Sequence, residues 1–122
     1  FQVYGHPDLH RRHFTFTPQP NEGARYPKLQ GQECQGQDLR SIPMHVLFNS
    51  RRLKLSYLLE AYRQYPEPEG FFLPNGFFDK LAGTDQLRKQ IKAGMTESEI
   101  RASWQEGLEA YRQRRAPYLL YP

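Results

Sequence analysis

Two consecutive capped helices running into an aromatic tail, Phe78 to Tyr121, constrain this 122-residue chain more than anything else in it. Thr96-Glu97-Ser98-Glu99 is a capping box: the threonine hydroxyl accepts from the amide three residues on, and the Glu99 carboxylate returns to the amide of Thr96. Met95 and Ile100 stand at the two positions of a hydrophobic staple around it. Ile100, Trp104, Leu108 and Tyr111 then recur at helical spacing and predict one buried stripe on one helix, stopped by Pro117. Acidic Glu97 and Glu99 at its start and Arg112, Arg114 and Arg115 at its end both suit the helix dipole. The preceding helix is signalled by Thr84 as N-cap, Asp85 in the first turn, Leu87 and Ile91 facing inward, and Gly94 as a left-handed terminator. Before it, Phe78-Asp79-Lys80-Leu81 begins a short helical turn that Gly83 interrupts.

Upstream the signals weaken. His13-Phe14-Thr15-Phe16-Thr17 alternates polar and apolar residues and predicts a strand ended by Pro18 and Pro20. Residues 18–37, rich in proline, glycine and glutamine, read as loop. Leu39, Ile42, Val46 and Phe48 suggest short strands broken at Pro43. A helix starting between Ser50 and Ser56 follows, with Leu55, Leu58, Leu59 and Tyr62 on one face and Pro66 and Pro68 closing it. The Pro/Gly/Phe stretch 66–77 reads as a loop whose phenylalanines pack down as anchors.

Composition bounds the function. Hydrophobic residues make up 38% of the chain, but 8 Tyr, 8 Phe and 1 Trp supply large buried areas, so a compact core is feasible. The net charge of +4 comes from dispersed basic pairs, Arg11-Arg12, Arg51-Arg52 and Arg114-Arg115, so a nucleic-acid partner is not expected. Cys34 is the lone cysteine, and no CxxC or HxxxH spacing supports a structural zinc. No metal or cofactor is expected. No apolar run approaches the roughly 20 residues of a membrane span. The chain starts at Phe1 without Met or a visible signal peptide, which suggests a piece of something longer.

Candidate chemistry is sparse. Cys34 lacks a cysteine-protease context around His6, His10, His13 or His45 and reads as a structural thiol. His6, His10 and His13 would share a helical face, but Pro7 and the HFTFT alternation argue for an exposed tail instead. Glycosidase chemistry needs two carboxyl groups roughly 5–9 Å apart. Glu97, Glu99 and Asp85 are explained by capping and the helix dipole, while Asp79, Glu67 and Glu69 have no evident partner. The loop 21–37 mixes Asn, Tyr, Arg, Lys and Gln with glycines, a composition that can hydrogen-bond a sugar while a tyrosine stacks on it. Arg51, Arg52 and Lys54 are candidate anion contacts. Trp104 and Tyr111 read as core.

The segment Ala82-Gly83-Thr84, Leu87-Arg88, Ile91, Gly94, Ile100, Trp104, Arg115 and Tyr118-Leu119-Leu120-Tyr121 resembles the C-terminal end of the NamZ-type exo-β-N-acetylmuramidase family. That family was formerly known as a domain of unknown function. Upstream, Phe16-Thr17-Pro18, Pro27-Lys28-Leu29, Gly31, Cys34 and Gly36 are similar to the family's F-x-P…K-x-x-G-x-x-C-x-G passage. Residues 20–40 and 55–66 look most like Bacteroidetes members. Between Gly36 and Ser50 the chain is short beside many members, which leaves open the strand expected after the Cys-x-Gly motif. The resemblance implies a single C-terminal domain over residues 1–122, with a larger Rossmann-like domain upstream that carries the catalytic carboxylates. It implies no catalytic residue in this chain. Implied partners are that N-terminal domain and peptidoglycan-derived muramyl sugars, in a periplasmic or exported setting.

The resulting expectation is an α+β fold, with about three helices of eight residues or more on a small sheet drawn from residues 12–48. Substrate contacts are expected at Arg25, Tyr26 and Lys28, backed by Arg51 and Arg52. The face that would meet the upstream domain is expected to be apolar. The alternative is a stand-alone, non-catalytic module binding glycan or protein; a third reading, single-strand nucleic-acid binding by stacked Phe and Tyr, predicts strong salt dependence.

Overall fold

The computed structural model describes residues 2–10 and 14–120. His13, the Arg11-Arg12 pair and Tyr121 of the terminal motif lie outside the described residues. The fold is α+β. Among the described residues it contains a three-stranded antiparallel sheet and six α-helices, in two compact units, Phe1–Phe71 and Phe72–Pro122.

The first unit is built on β1 (Val3–His6), β2 (Thr15–Phe16) and β3 (Cys34–Asp38), in the order β1-β3-β2. Two of these strands differ from the sequence reading. β1 occupies the stretch read as a tail, and β3, the central strand, runs through the stretch read as loop. Cys34-Gln35-Gly36-Gln37-Asp38 carries no β-branched or aromatic residue. It is a strand because it is paired on both sides: Gly5 lies opposite Gly36 in β1, and Phe16 lies opposite Cys34 in β2. A Cβ on Gly36 would sit 1.8 Å from the Tyr4 carbonyl oxygen, so only glycine permits this approach.

Helix α1 (Met44–Ser50) also corrects the reading, since short strands were expected there. Pro43 precedes the helix in extended conformation, where its missing amide costs nothing. Helix α2 (Ser56–Gln64) forms as expected, with Leu55 and Leu59 buried and Leu58 and Tyr62 half-buried. Aromatic contacts tie it to the sheet: Tyr4 meets Tyr57 at 6.0 Å between ring centroids, and His6 meets Tyr65 edge-on at 5.4 Å. Phe71 packs edge-on against Tyr62 and Tyr65 and Phe72 is buried, so these two rings of the Pro/Gly/Phe stretch anchor it, whereas Phe77 is exposed.

The second unit is helical: α3 (Phe77–Ala82), α4 (Gln86–Lys92), α5 (Glu97–Ser103) and α6 (Gln105–Arg115). Gly83 (φ 73°) ends α3 and Gly94 (φ 74°) follows the end of α4, both in the left-handed region that favours glycine. The cap of α4 falls one residue later than expected, at Asp85, although the Thr84 hydroxyl still accepts from the amide of Gln86 at 3.2 Å. The Thr96–Glu99 capping box is present in full. Ile91 and Ile100 are the most deeply buried side chains of this unit.

Two helical expectations need correction. The single helix expected from Thr96 onward is two, because the chain turns at Trp104. The stripe beyond that turn is not core either: Leu108 and Tyr111 are exposed, and α6 buries nothing. Of the helices described, only α2 and α6 reach eight residues, against the three expected; the rest are six or seven residues long.

Candidate functional site

Residues 18–31 form a closed surface loop. Its base is joined by the Gly31 amide donating to the Pro18 carbonyl at 3.0 Å. Its tip is ordered by Asn21, whose side-chain oxygen accepts from the amides of Gly23 and Ala24, both at 2.9 Å. The loop presents Arg25, Tyr26 and Lys28 outward together, and Tyr26 is 92% exposed. Arg51 and Arg52 lie elsewhere in the first unit, at the C-terminal end of α1, and are exposed too. No ion pair or side-chain hydrogen bond engages any of the five among the described residues. Three of the five candidates thus share one loop, and all five offer free polar ends to a ligand or partner.

Asp38, Asp79, Asp85, Glu97 and Glu99 are engaged by neighbouring groups. Asp79 is gripped by Arg88 through two nitrogens, with Nε–Oδ1 at 2.9 Å and Nη2–Oδ2 at 2.8 Å, which joins α3 to α4. Asp38 pairs with Arg40, Asp85 with Lys89, and Glu97 with Arg101. Hydrogen bonds from Arg88, Arg40 and Lys89 hold Asp79, Asp38 and Asp85 below the usual carboxylate range, and the Thr96 amide and hydroxyl do the same to Glu99. A glycosidase general acid needs the opposite displacement, upward toward neutral pH. These four carboxylates are structural.

Cys34 is fully buried, with Sγ 3.7 Å from the Gln32 carbonyl oxygen, and burial raises its pKa. A buried, protonated thiol is a poor nucleophile, which matches the structural reading. His6 belongs to β1 and not to an exposed tail; it is half-buried, and its Nδ1 lies 3.4 Å from an Asp8 carboxylate oxygen. Among the described residues no three His, Cys, Asp or Glu side chains gather as a metal-holding group.

The second unit holds an open pocket of about 470 Å³ that sequence reasoning missed. Gln86, Gln90, Ser103, Trp104 and Leu108 line it. Gln90 Nε2 donates to Ser103 Oγ at 2.8 Å, while Gln90 Oε1 is buried with no hydrogen-bond partner among the described residues. Trp104 was read as core yet is only half-buried and lines this pocket, with the Arg101 guanidinium 5.9 Å from its ring. No sequence signal marked the site, because it depends on the chain turning between α5 and α6.

Fold and site together define an α+β domain with an exposed basic-aromatic loop and with its displaced carboxylates locked in structural roles. Residues 1–121 match the family described as "Exo-beta-N-acetylmuramidase NamZ, C-terminal", and the chain belongs to that family. It is similar to the peptidoglycan β-N-acetylmuramidase NamZ of Bacillus subtilis strain 168, at 31% identity over 115 residues, 94% of this chain and 26% of that protein. It is also similar to the crystal structure of a DUF1343 family protein from Bacteroides fragilis, with a TM-score of 0.87 and 37% identity over 98% of this chain and 33% of that one. The chain therefore spans about a quarter to a third of the relatives it matches.

Several residues of the motifs that carry the resemblance have structural roles. Gly83 and Gly94 terminate helices, Arg88 clamps α3 to α4, Ile91 and Ile100 fill the second unit, and Gly36 lets β1 approach β3.

Proposed function

We propose that this chain is the C-terminal accessory domain of an exo-acting glycoside hydrolase that releases N-acetylmuramic acid from the non-reducing ends of peptidoglycan fragments. The observation that carries the reading is the family match over residues 1–121 in a chain only a quarter to a third as long as its relatives. The structural engagement of Asp38, Asp79, Asp85 and Glu99 is compatible with catalytic carboxylates that lie in an upstream Rossmann-like domain. A substrate in peptidoglycan sets the place of action outside the cytoplasmic membrane, periplasmic or exported. Among the described residues no helix is long and apolar enough to cross a membrane.

In this reading the domain forms one wall of the substrate cleft. N-acetylmuramic acid carries a lactyl carboxylate, which suits Arg25 and Lys28 through charge-assisted hydrogen bonds. Tyr26 offers a ring for the apolar face of a sugar. The test is kinetic, on the complete gene product with a β-muramide substrate. Arg25→Ala and Lys28→Ala raise KM about tenfold or more with a smaller change in kcat, the signature of lost substrate binding. An unchanged KM removes the loop from the substrate wall.

A further inference from the structure

Helix α1 has a sequence suited to burial and no burial. Met44, Leu47 and Phe48 recur at i, i+3 and i+4, one stripe of a helix, and are 66%, 37% and 73% exposed. Leu53, just beyond the helix, is 67% exposed. A helix of this length is marginal in water without packing against something else. Local devices do not compensate: Pro43 provides no side-chain cap, the first turn has no acidic residue, and Arg51 ends the helix in the left-handed region at φ 43°. Among the described residues, the hydrogen bonds of 43–51 stay within the helix and its ends.

Such a stripe needs a cover, and two observations select it. About two-thirds or more of each matched relative lies outside the region this chain covers, so a large body of additional polypeptide accompanies this domain in them. The stripe is also flanked by Arg51 and Arg52, both exposed and unpaired. A second copy packed symmetrically on this face would bring two such basic rims together, whereas an unlike surface can complement them. We propose that the Met44–Leu47–Phe48 stripe with Leu53 is the docking face for the remainder of the longer polypeptide, whose matching surface is apolar at its centre and acidic at its rim. This rests on the reading of the chain as one domain of a longer protein, and it names the helix by which that domain is held.

Hydrogen–deuterium exchange on the complete gene product tests the proposal. The α1 amides are expected to exchange at least about tenfold more slowly than those of the exposed loop 21–30. Met44→Asp/Phe48→Asp should abolish that difference and also speed exchange in a segment outside residues 1–122, while Met44→Leu/Phe48→Leu should preserve both. Fast exchange of α1 in the parent protein overturns the assignment, and this comparison stands even if the aspartate variant does not fold. A response confined to α1 overturns it as well. So does protection that vanishes on dilution together with a dimer, which would make a second copy the occupant. Release of N-acetylmuramic acid is scored separately: a protected α1 in a protein without that activity keeps the docking face and removes the muramidase reading.

Discussion

Gly36 carries the tightest steric constraint among the glycines. Its Cβ-to-be lies 1.8 Å from the Tyr4 carbonyl oxygen and 2.7 Å from the Gly5 Cα, both of them backbone, so neither can swing aside as a flexible side chain would. Gly36→Ala is expected to lower the unfolding free energy by at least about 2 kcal/mol, read by urea denaturation; a loss under about 0.5 kcal/mol would mean that β1 does not pair there. Thr96 makes a smaller, better-defined contribution. Thr96→Ala removes one half of the capping box and is expected to cost about 1 kcal/mol. Buried Ile100 and exposed Tyr111 were read as members of one stripe, but they belong to different classes. Ile100→Ala is expected to cost about 2–5 kcal/mol and Tyr111→Ala less than about 0.5, so equal costs in a denaturation series would contradict the turn at Trp104.

At the scale of elements, ion pairs join what packing leaves loosely tied. Arg88 binds Asp79 across the Gly83 turn, and the Asp79 pKa is lowered because of it. A carboxylate whose folded pKa lies below its unfolded value adds stability above the ordinary carboxylate range, and that stability is lost as pH falls through the folded value. Asp38, Asp85 and Glu99 are displaced the same way. The thermal midpoint should therefore hold from neutral pH to about pH 5 and fall progressively below about pH 4. Arg88→Gln frees Asp79 and should make that acid-side fall shallower; an unchanged slope would show that the clamp does not persist in solution.

Elements set by neighbours in sequence were readable, and those set by distant partners were not. The capping box, the staple and the glycine after α4 each lie within a few residues, so local chemistry decides them. β3 has no strand-forming composition and exists only through pairing with residues 3–6 and 15–16. Likewise α1 followed a proline and carried residues typical of strands, and nothing local marked Met44 as a helix start. The basic loop could be read from composition, whereas the Trp104 pocket could not, because a helix-periodic stripe masks the turn that opens it.

For the whole molecule, we propose that this domain serves a muramidase without containing its chemistry. In that proposal the family match and the uncovered α1 stripe belong together, since the remainder of a longer polypeptide would supply both the chemistry and the cover. The most direct measurement is release of N-acetylmuramic acid from a chromogenic β-muramide, comparing this chain alone with the complete gene product. Under the proposal, the complete product is expected to turn over the muramide, and residues 1–122 alone are expected not to. Turnover by this chain alone, or a folded complete product with no activity on the muramide, would contradict it, and the second result would leave a non-catalytic binding module as the better description.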